Sequence, residues 1–165
     1  MNRRTAAFAA ALMAAALSAP ALAADAPQGG APKGDNTMGA WNRNMETSVY
    51  PTDPMASLLM VRTPIPGGVH IHCTGKFKTG GLIDYTVDVL YDGKDYPSHG
   101  VGASYATLAI TPIDANHQLS TSKRDKYVMN GQAEITPDGK HMIITQVGAF
   151  ASGAPGGFKI IWDKQ

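Results

Sequence analysis

Cysteine is almost absent: Cys73 is the only one in 165 residues, so no intrachain disulfide can staple the fold and an apolar core must hold it. Beyond the N-terminal segment there is no apolar run of about 20 residues, which excludes a helical membrane span in the remainder. Charge is scarce and balanced, with 14 basic against 13 acidic residues. That leaves no electrostatic footprint for nucleic acid or an anionic membrane. Glutamate occurs only as Glu46 and Glu134, so paired carboxylate catalysis has few candidates. No Gly-x-Ser-x-Gly elbow and no complete phosphate loop occur, and no cofactor signature is present.

What is present begins with Arg3 and Arg4, an alanine-rich apolar run through Leu17, and Ala21-Leu22-Ala23, the layout of a signal peptide over residues 1–23. Cleavage there removes two of the basic residues, turns the formal +1 into −1, and directs the product to the periplasm or outside the cell. Residues 24–37 are rich in Gly, Pro and small polar groups and read as a flexible leader. Residues 38–165 form a single domain.

Inside that domain, Leu82 to Tyr91 alternate apolar and polar residues and end in the turn sequence Tyr91-Asp92-Gly93-Lys94-Asp95-Tyr96-Pro97. Period-2 alternation buries one side of a strand and wets the other. Similar runs at 39–44, 57–63, 69–74, 105–111, 117–122, 127–135, 141–148 and 158–162 predict nine strands. The segment Met45 to Val49 has room for a short helix. The inward set is Val69, Ile71, Cys73, Ile83, Tyr85, Val87, Val89, Ala106, Leu108, Ile110, Phe158, Ile160 and Trp162. A meander of this strand number avoids raw edges by closing, which predicts an antiparallel up-and-down barrel of eight to nine strands.

Gly39-Ala40-Trp41 on the first strand resembles the Gly-x-Trp signature that opens lipocalins and related calycin barrels. More broadly, the chain resembles a family of secreted bacterial lipocalin-like proteins without an assigned activity. The matching pieces are Asn44 and Ser48, Tyr91 to Pro97, Ile113 to Asn116, Pro137 to Lys140 and the closing Asp163-Lys164-Gln165. The chain departs from that family in a shorter, less charged Lys76 to Gly81 hairpin and a less charged strand from Tyr127 to Ile135. The resemblance implies a lipocalin-like barrel and brings no catalytic residues. It also implies that Trp41 and Trp162 pack as structural core, meeting where the first and last strands close the barrel.

The candidate chemistry is thin. His70, His72 and Asp84 fall on one outer face with Asp84 opposite or diagonal to His72, a donor set that suits Zn²⁺ or Cu²⁺, set against a plain polar face. Ser98-His99 would point apart on an extended segment and do not make a nucleophile and base. Cys73 shares the inward face and reads as a small buried hydrophobe. The expected function is non-enzymatic binding of a small hydrophobic molecule against Met60, Tyr85, Val87, Leu108 and Phe158. The alternative is a solid-cored protein-interaction or structural module of the cell envelope, and the third is a metal-binding or enzymatic barrel.

Overall fold

The computed structural model describes residues 32–49 and 54–165; the stretch expected to be a signal peptide and most of the one expected to be a leader lie outside them. Among the described residues the chain is all strand and turn. The strands are β1 (Gly39–Val49), β2 (Met55–Ile65), β3 (Gly68–Phe77), β4 (Leu82–Leu90), β5 (Tyr96–Pro97), β6 (His99–Val101), β7 (Thr107–Pro112), β8 (His117–Arg124), β9 (Tyr127–Ile135), β10 (His141–Ala149) and β11 (Pro155–Lys164). All pairings are antiparallel, in the order β5-β7-β8-β9-β10-β11-β1-β2-β3-β4-β6, giving a nearly closed barrel consistent with a calycin-type fold.

The sequence predicts eight or nine strands; the described residues hold eleven, because the segment from Tyr96 to Val101 supplies two very short ones. Tyr96 and Pro97 pair with Leu108 and Thr107 of β7, whereas His99, Gly100 and Val101 pair with Thr86, Tyr85 and Asp84 of β4. The two ends of the sheet order are therefore consecutive pieces of one chain, joined at Ser98. Its amide donates to the Ala106 carbonyl at 2.9 Å and its hydroxyl to the Tyr105 carbonyl at 2.7 Å. A run of three extended residues is too short for periodicity to reveal.

The segment Met45 to Val49 is no helix. It extends β1 through a bulge, with the register shifting between Asn44 and Val49. Asn44 Oδ1 accepts from the amides of Glu46 and Thr47, and Ser48 Oγ accepts from the Ile161 amide, replacing a ladder carbonyl that the bulge moves away. Tight connections follow turn chemistry. Pro66-Gly67 joins β2 to β3 with Gly67 at φ +76°, and Asp125, at φ +50°, turns β8 into β9.

The inward alternation holds for most of the set. Val69, Ile83, Val87 and Val89 are fully buried, and Ile71, Cys73, Tyr85, Leu108, Ile110 and Trp162 nearly so, all in one cluster. Ala106 is the exception: it precedes β7 and is exposed. The first and last strands do pair, Trp41 lying opposite Lys164 and Trp162 opposite Arg43, and both indoles belong to the main core. The remaining gap in the ring lies elsewhere, between β4 and β7, where residues 96–101 lace it shut.

Gly100 is what lets the lace sit against β4. At φ +116° it occupies backbone space that L side chains avoid, and a Cβ would stand 2.3 Å from the Asp84 carbonyl oxygen. Gly100→Ala is expected to lower stability by about 2 kcal/mol in urea unfolding and to raise amide exchange in Asp84 to Thr86. An unchanged midpoint would refute the tight approach.

Candidate functional site

Alternation that points apolar side chains inward also carries polar ones in. Arg43 follows Trp41 by two on β1 and Arg62 follows Met60 by two on β2, so both guanidinium groups enter the barrel, and both residues are buried. Gln118 and Ser122 on β8 do the same and are nearly inaccessible.

Arg62 and Gln118 anchor a hydrogen-bonded plug across the closed end. Arg62 Nη2 donates to Gln118 Oε1 at 2.8 Å. The Gln118 amide nitrogen lies 3.1–3.3 Å from Thr37 Oγ1, Asp35 Oδ2 and Tyr91 Oη, sharing its two protons among them. Tyr91 Oη in turn donates to Asp35 Oδ2 at 2.6 Å, the Thr37 amide and hydroxyl donate to Asp35 Oδ1, and Trp41 Nε1 donates to the Thr37 carbonyl at 2.9 Å. Asp35 thus answers the Arg62 charge through one intervening amide. Asp35, Asn36 and Thr37 fall in the stretch the sequence assigns to the leader, yet they are built into the barrel floor, with the Asn36 amide donating to the Ala115 carbonyl.

Above this plug the interior leaves about 420 Å³, edged by Arg43, Arg62, Arg124, Ser120 and Ser122 together with Met60, Tyr85, Leu108 and Phe158. Cys73 and the edge-to-face pair Tyr85 and Tyr105, centroids 5.7 Å apart, line one side. Burial pushes the Cys73 thiol up to about 11, against the opposing pull of the Tyr85 hydroxyl and the Arg62 charge. Burial also raises Tyr85 and Tyr105 well above the usual phenol range. Tyr91 is raised mainly by burial, which Arg62 partly offsets and Asp35 reinforces.

The expectation of an open pocket for a hydrophobic molecule is overturned here. Met60, Tyr85, Leu108 and Phe158 reach the interior space but Val87 does not line it, being sealed in the core. Phe158 belongs to a satellite cluster with Tyr127 and Met129, against which Phe150 packs. More decisively, the Arg62 to Gln118 to Asp35 network crosses the barrel. An apolar guest would strip solvent from buried guanidinium and hydroxyl groups while offering them no acceptor, at a cost of several kcal/mol.

On the outer face, His70 and His72 stand side by side on β3, and each meets its own aspartate. His70 Nδ1 lies 2.5 Å from Asp88 Oδ1, and His72 Nε2 lies 2.9 Å from Asp84 Oδ1 on the diagonal, Thr86 being its direct partner. Among the described residues no three His, Cys, Asp or Glu side chains gather as a metal-ligand group. Ser98 is committed to the seam and His99 is exposed. Phe77 packs against the main core.

Among the described residues no helix is long and apolar enough to cross a membrane. No family model, curated protein or solved structure matches the chain.

Two outcomes follow. Gln118→Leu strands Arg62 and should cost about 3 kcal/mol, whereas Arg62→Met, which removes the charge itself, should cost no more than about 1 kcal/mol. Equal costs in chemical denaturation would contradict the plug. The raised thiol and phenol groups stay protonated in the fold while the unfolded chain ionises, Cys73 from an ordinary value of 9.0. The contribution of these groups to stability should therefore be present below pH 9 and lost as pH climbs through 11, Cys73 accounting for on the order of 3 kcal/mol. A Cys73→Ala variant that declines just as steeply would remove the thiol from that account.

Proposed function

We propose that this chain is a lipocalin-like, secreted or periplasmic structural or protein-interaction module of the cell envelope, working through its outer surface rather than an apolar cargo space. The observation that carries this reading is the buried Arg62, Gln118 and Asp35 network, which takes the closed end of the lumen out of service for hydrophobic guests. The opening Gly39-Ala40-Trp41 supports the lipocalin-like assignment, and the signal-peptide pattern in residues 1–23 supports export.

The surface offered to a protein partner is the outer face of β8, β9 and β10. Cross-strand rows there read Leu119, Gln132, Thr145; then Thr121, Asn130, Val147; then Lys123, Val128, Ala149. Lys123 is the one charge in these rows, and Asp95 engages it at 2.6 Å. Leu119, Val128 and Val147 are exposed, Val147 to 61%. Depletion of charge with exposed β-branched and amide side chains is what the centre of a protein interface presents. The face built from β3 and β4 carries His70, His72, Asp84 and Asp88 and is the natural control.

A photo-crosslinking residue placed at 147 should give a discrete protein adduct in envelope preparations, and one placed at 88 should not. Val147→Lys should cut capture several-fold while shifting stability by less than about 0.5 kcal/mol. Equal crosslinking from both faces would refute the assignment.

A further inference from the structure

The balanced charge of the chain conceals a separation along the barrel axis. Carboxylates gather at the closed end, where Asp35, Asp92, Asp114, Glu134, Asp138 and Asp163 sit on segments tied together by the backbone bonds Asn36 to Ala115, Ile135 to Asn116 and Lys164 to Lys140. Lys33, Lys94, Lys140 and Lys164 offset only part of them. The end away from the plug is basic. Lys76 and Lys78 stand at the hairpin between β3 and β4, Arg124 and Lys126 at the turn between β8 and β9, and all four are exposed. Among the described residues no carboxylate forms an ion pair with any of the four, whereas Lys94 and Lys123 are matched by Asp92 and Asp95. Counting Asp125 in the same turn, and Asp53 in the sequence between β1 and β2, still leaves two positive charges in excess.

The two basic tips belong to one rim. A Cβ on Gly102 would lie 2.9 Å from the Leu82 carbonyl oxygen, and Arg124 Nη2 donates to the Tyr105 carbonyl at 3.2 Å, so residues 102–105 run from one tip to the other. Four residues span on the order of 10 Å. Apolar side chains share this rim: Leu82, the cross-strand partner of Lys76, is 58% exposed, and Val101, opposite Asp84, is 53% exposed. The Asp84 carboxylate is itself engaged by His72 at 2.9 Å. Leu90 and Ile113 are exposed at the closed end, but there they neighbour Asp92 and Asp114. A small free anion would meet one tip at a time, whereas a flat anionic surface meets both. A bilayer offers that surface together with hydrocarbon just beneath it, which answers the lysines and the exposed Leu82 and Val101 in one contact.

We propose that the rim carrying Lys76, Lys78, Leu82, Val101, Arg124 and Lys126 seats the barrel on a bilayer surface that bears anionic phospholipid headgroups. The contact is peripheral. Asp84, Asp88, Asn130 and Gln132 are exposed on the outer walls of β4 and β9, so the barrel cannot sink into hydrocarbon. Seated this way, the acidic closed end points away from the membrane and the wall of β8 to β10 stays accessible. None of the four cations lies in the cross-strand rows of that wall, so the proposal does not rest on the protein-interface reading.

The test is co-sedimentation of the purified chain with vesicles of equal parts phosphatidylcholine and phosphatidylglycerol, against vesicles of phosphatidylcholine alone. Binding is expected to the anionic vesicles and to weaken several-fold between about 0.05 M and about 0.5 M salt, as the charges are screened. Lys78→Glu combined with Lys126→Glu should cut partitioning about tenfold or more. Neither side chain is bonded among the described residues, so the melting temperature should not move. Lys33→Glu combined with Lys140→Glu makes the same change in net charge at the closed end and should leave partitioning within about twofold of wild type. Leu82→Gln should weaken it several-fold without altering the salt dependence. Residues 1–23 are common to every variant, so their apolar run cannot produce a difference between them. Equal sedimentation with both vesicle types, or equal losses from the rim and closed-end reversals, would overturn the proposal. Salt-sensitive capture by soluble polyglutamate without vesicle binding would overturn it too, and would assign the rim to an acidic protein.

Discussion

A guanidinium buried inside a β-barrel imposes the strongest constraint on this molecule. Arg62 enters because period-2 alternation gives a strand no choice about which face a residue takes, and Met60 two positions earlier must be inside. Once there, the charge must be answered, and the answer recruits residues distant in the chain: Gln118 from β8, Tyr91 beyond β4, and Asp35 and Thr37 ahead of β1. The same network holds Trp41 through the Thr37 carbonyl, so the polar plug and the apolar floor are one assembly. An interior organised in this way suits rigidity and opposes hydrophobic storage.

Closure of the ring depends on a different economy of residues. Pairing of β1 with β11 needs no special device beyond the Ser48 bulge, but β4 and β7 are joined only by the six residues from 96 to 101. Two residues of that segment pair with β7, three pair with β4 and Ser98 crosses between, which leaves few raw edges without a further full-length strand. Lys164, 5.1 Å from the centroid of the Trp41 ring, covers the floor at the opposite side of the barrel.

The long strands were legible because their alternation is regular and their turns carry Asp, Gly and Pro: β4, β9 and β10 need little beyond Leu82 to Leu90, Tyr127 to Ile135 and His141 to Ala149. The short β5 and β6 were not, since two or three residues carry no period. The segment Met45 to Val49 was read as room for a helix because a side chain, not the backbone, completes the ladder at its bulge. The interior site was the larger miss. Arg43 and Arg62 sit at inward positions that the same alternation already marks, so the signal existed, but a charge in a strand reads as a wet face until its partners are known. Those partners lie up to 83 residues away from Asp35, a pairing no local pattern contains. The diagonal of His72 and Asp84 was legible for the converse reason, because one hairpin sets it.

A high-resolution crystal structure of the protein as purified tests the central claim most directly, because it reads the contents of the barrel and the position of Arg62 together. The account predicts Arg62 bonded to Gln118 across the closed end, with no hydrocarbon chain in the lumen. Arg62 swung out of the barrel, with a hydrocarbon chain lying between Met60 and Phe158, would contradict it.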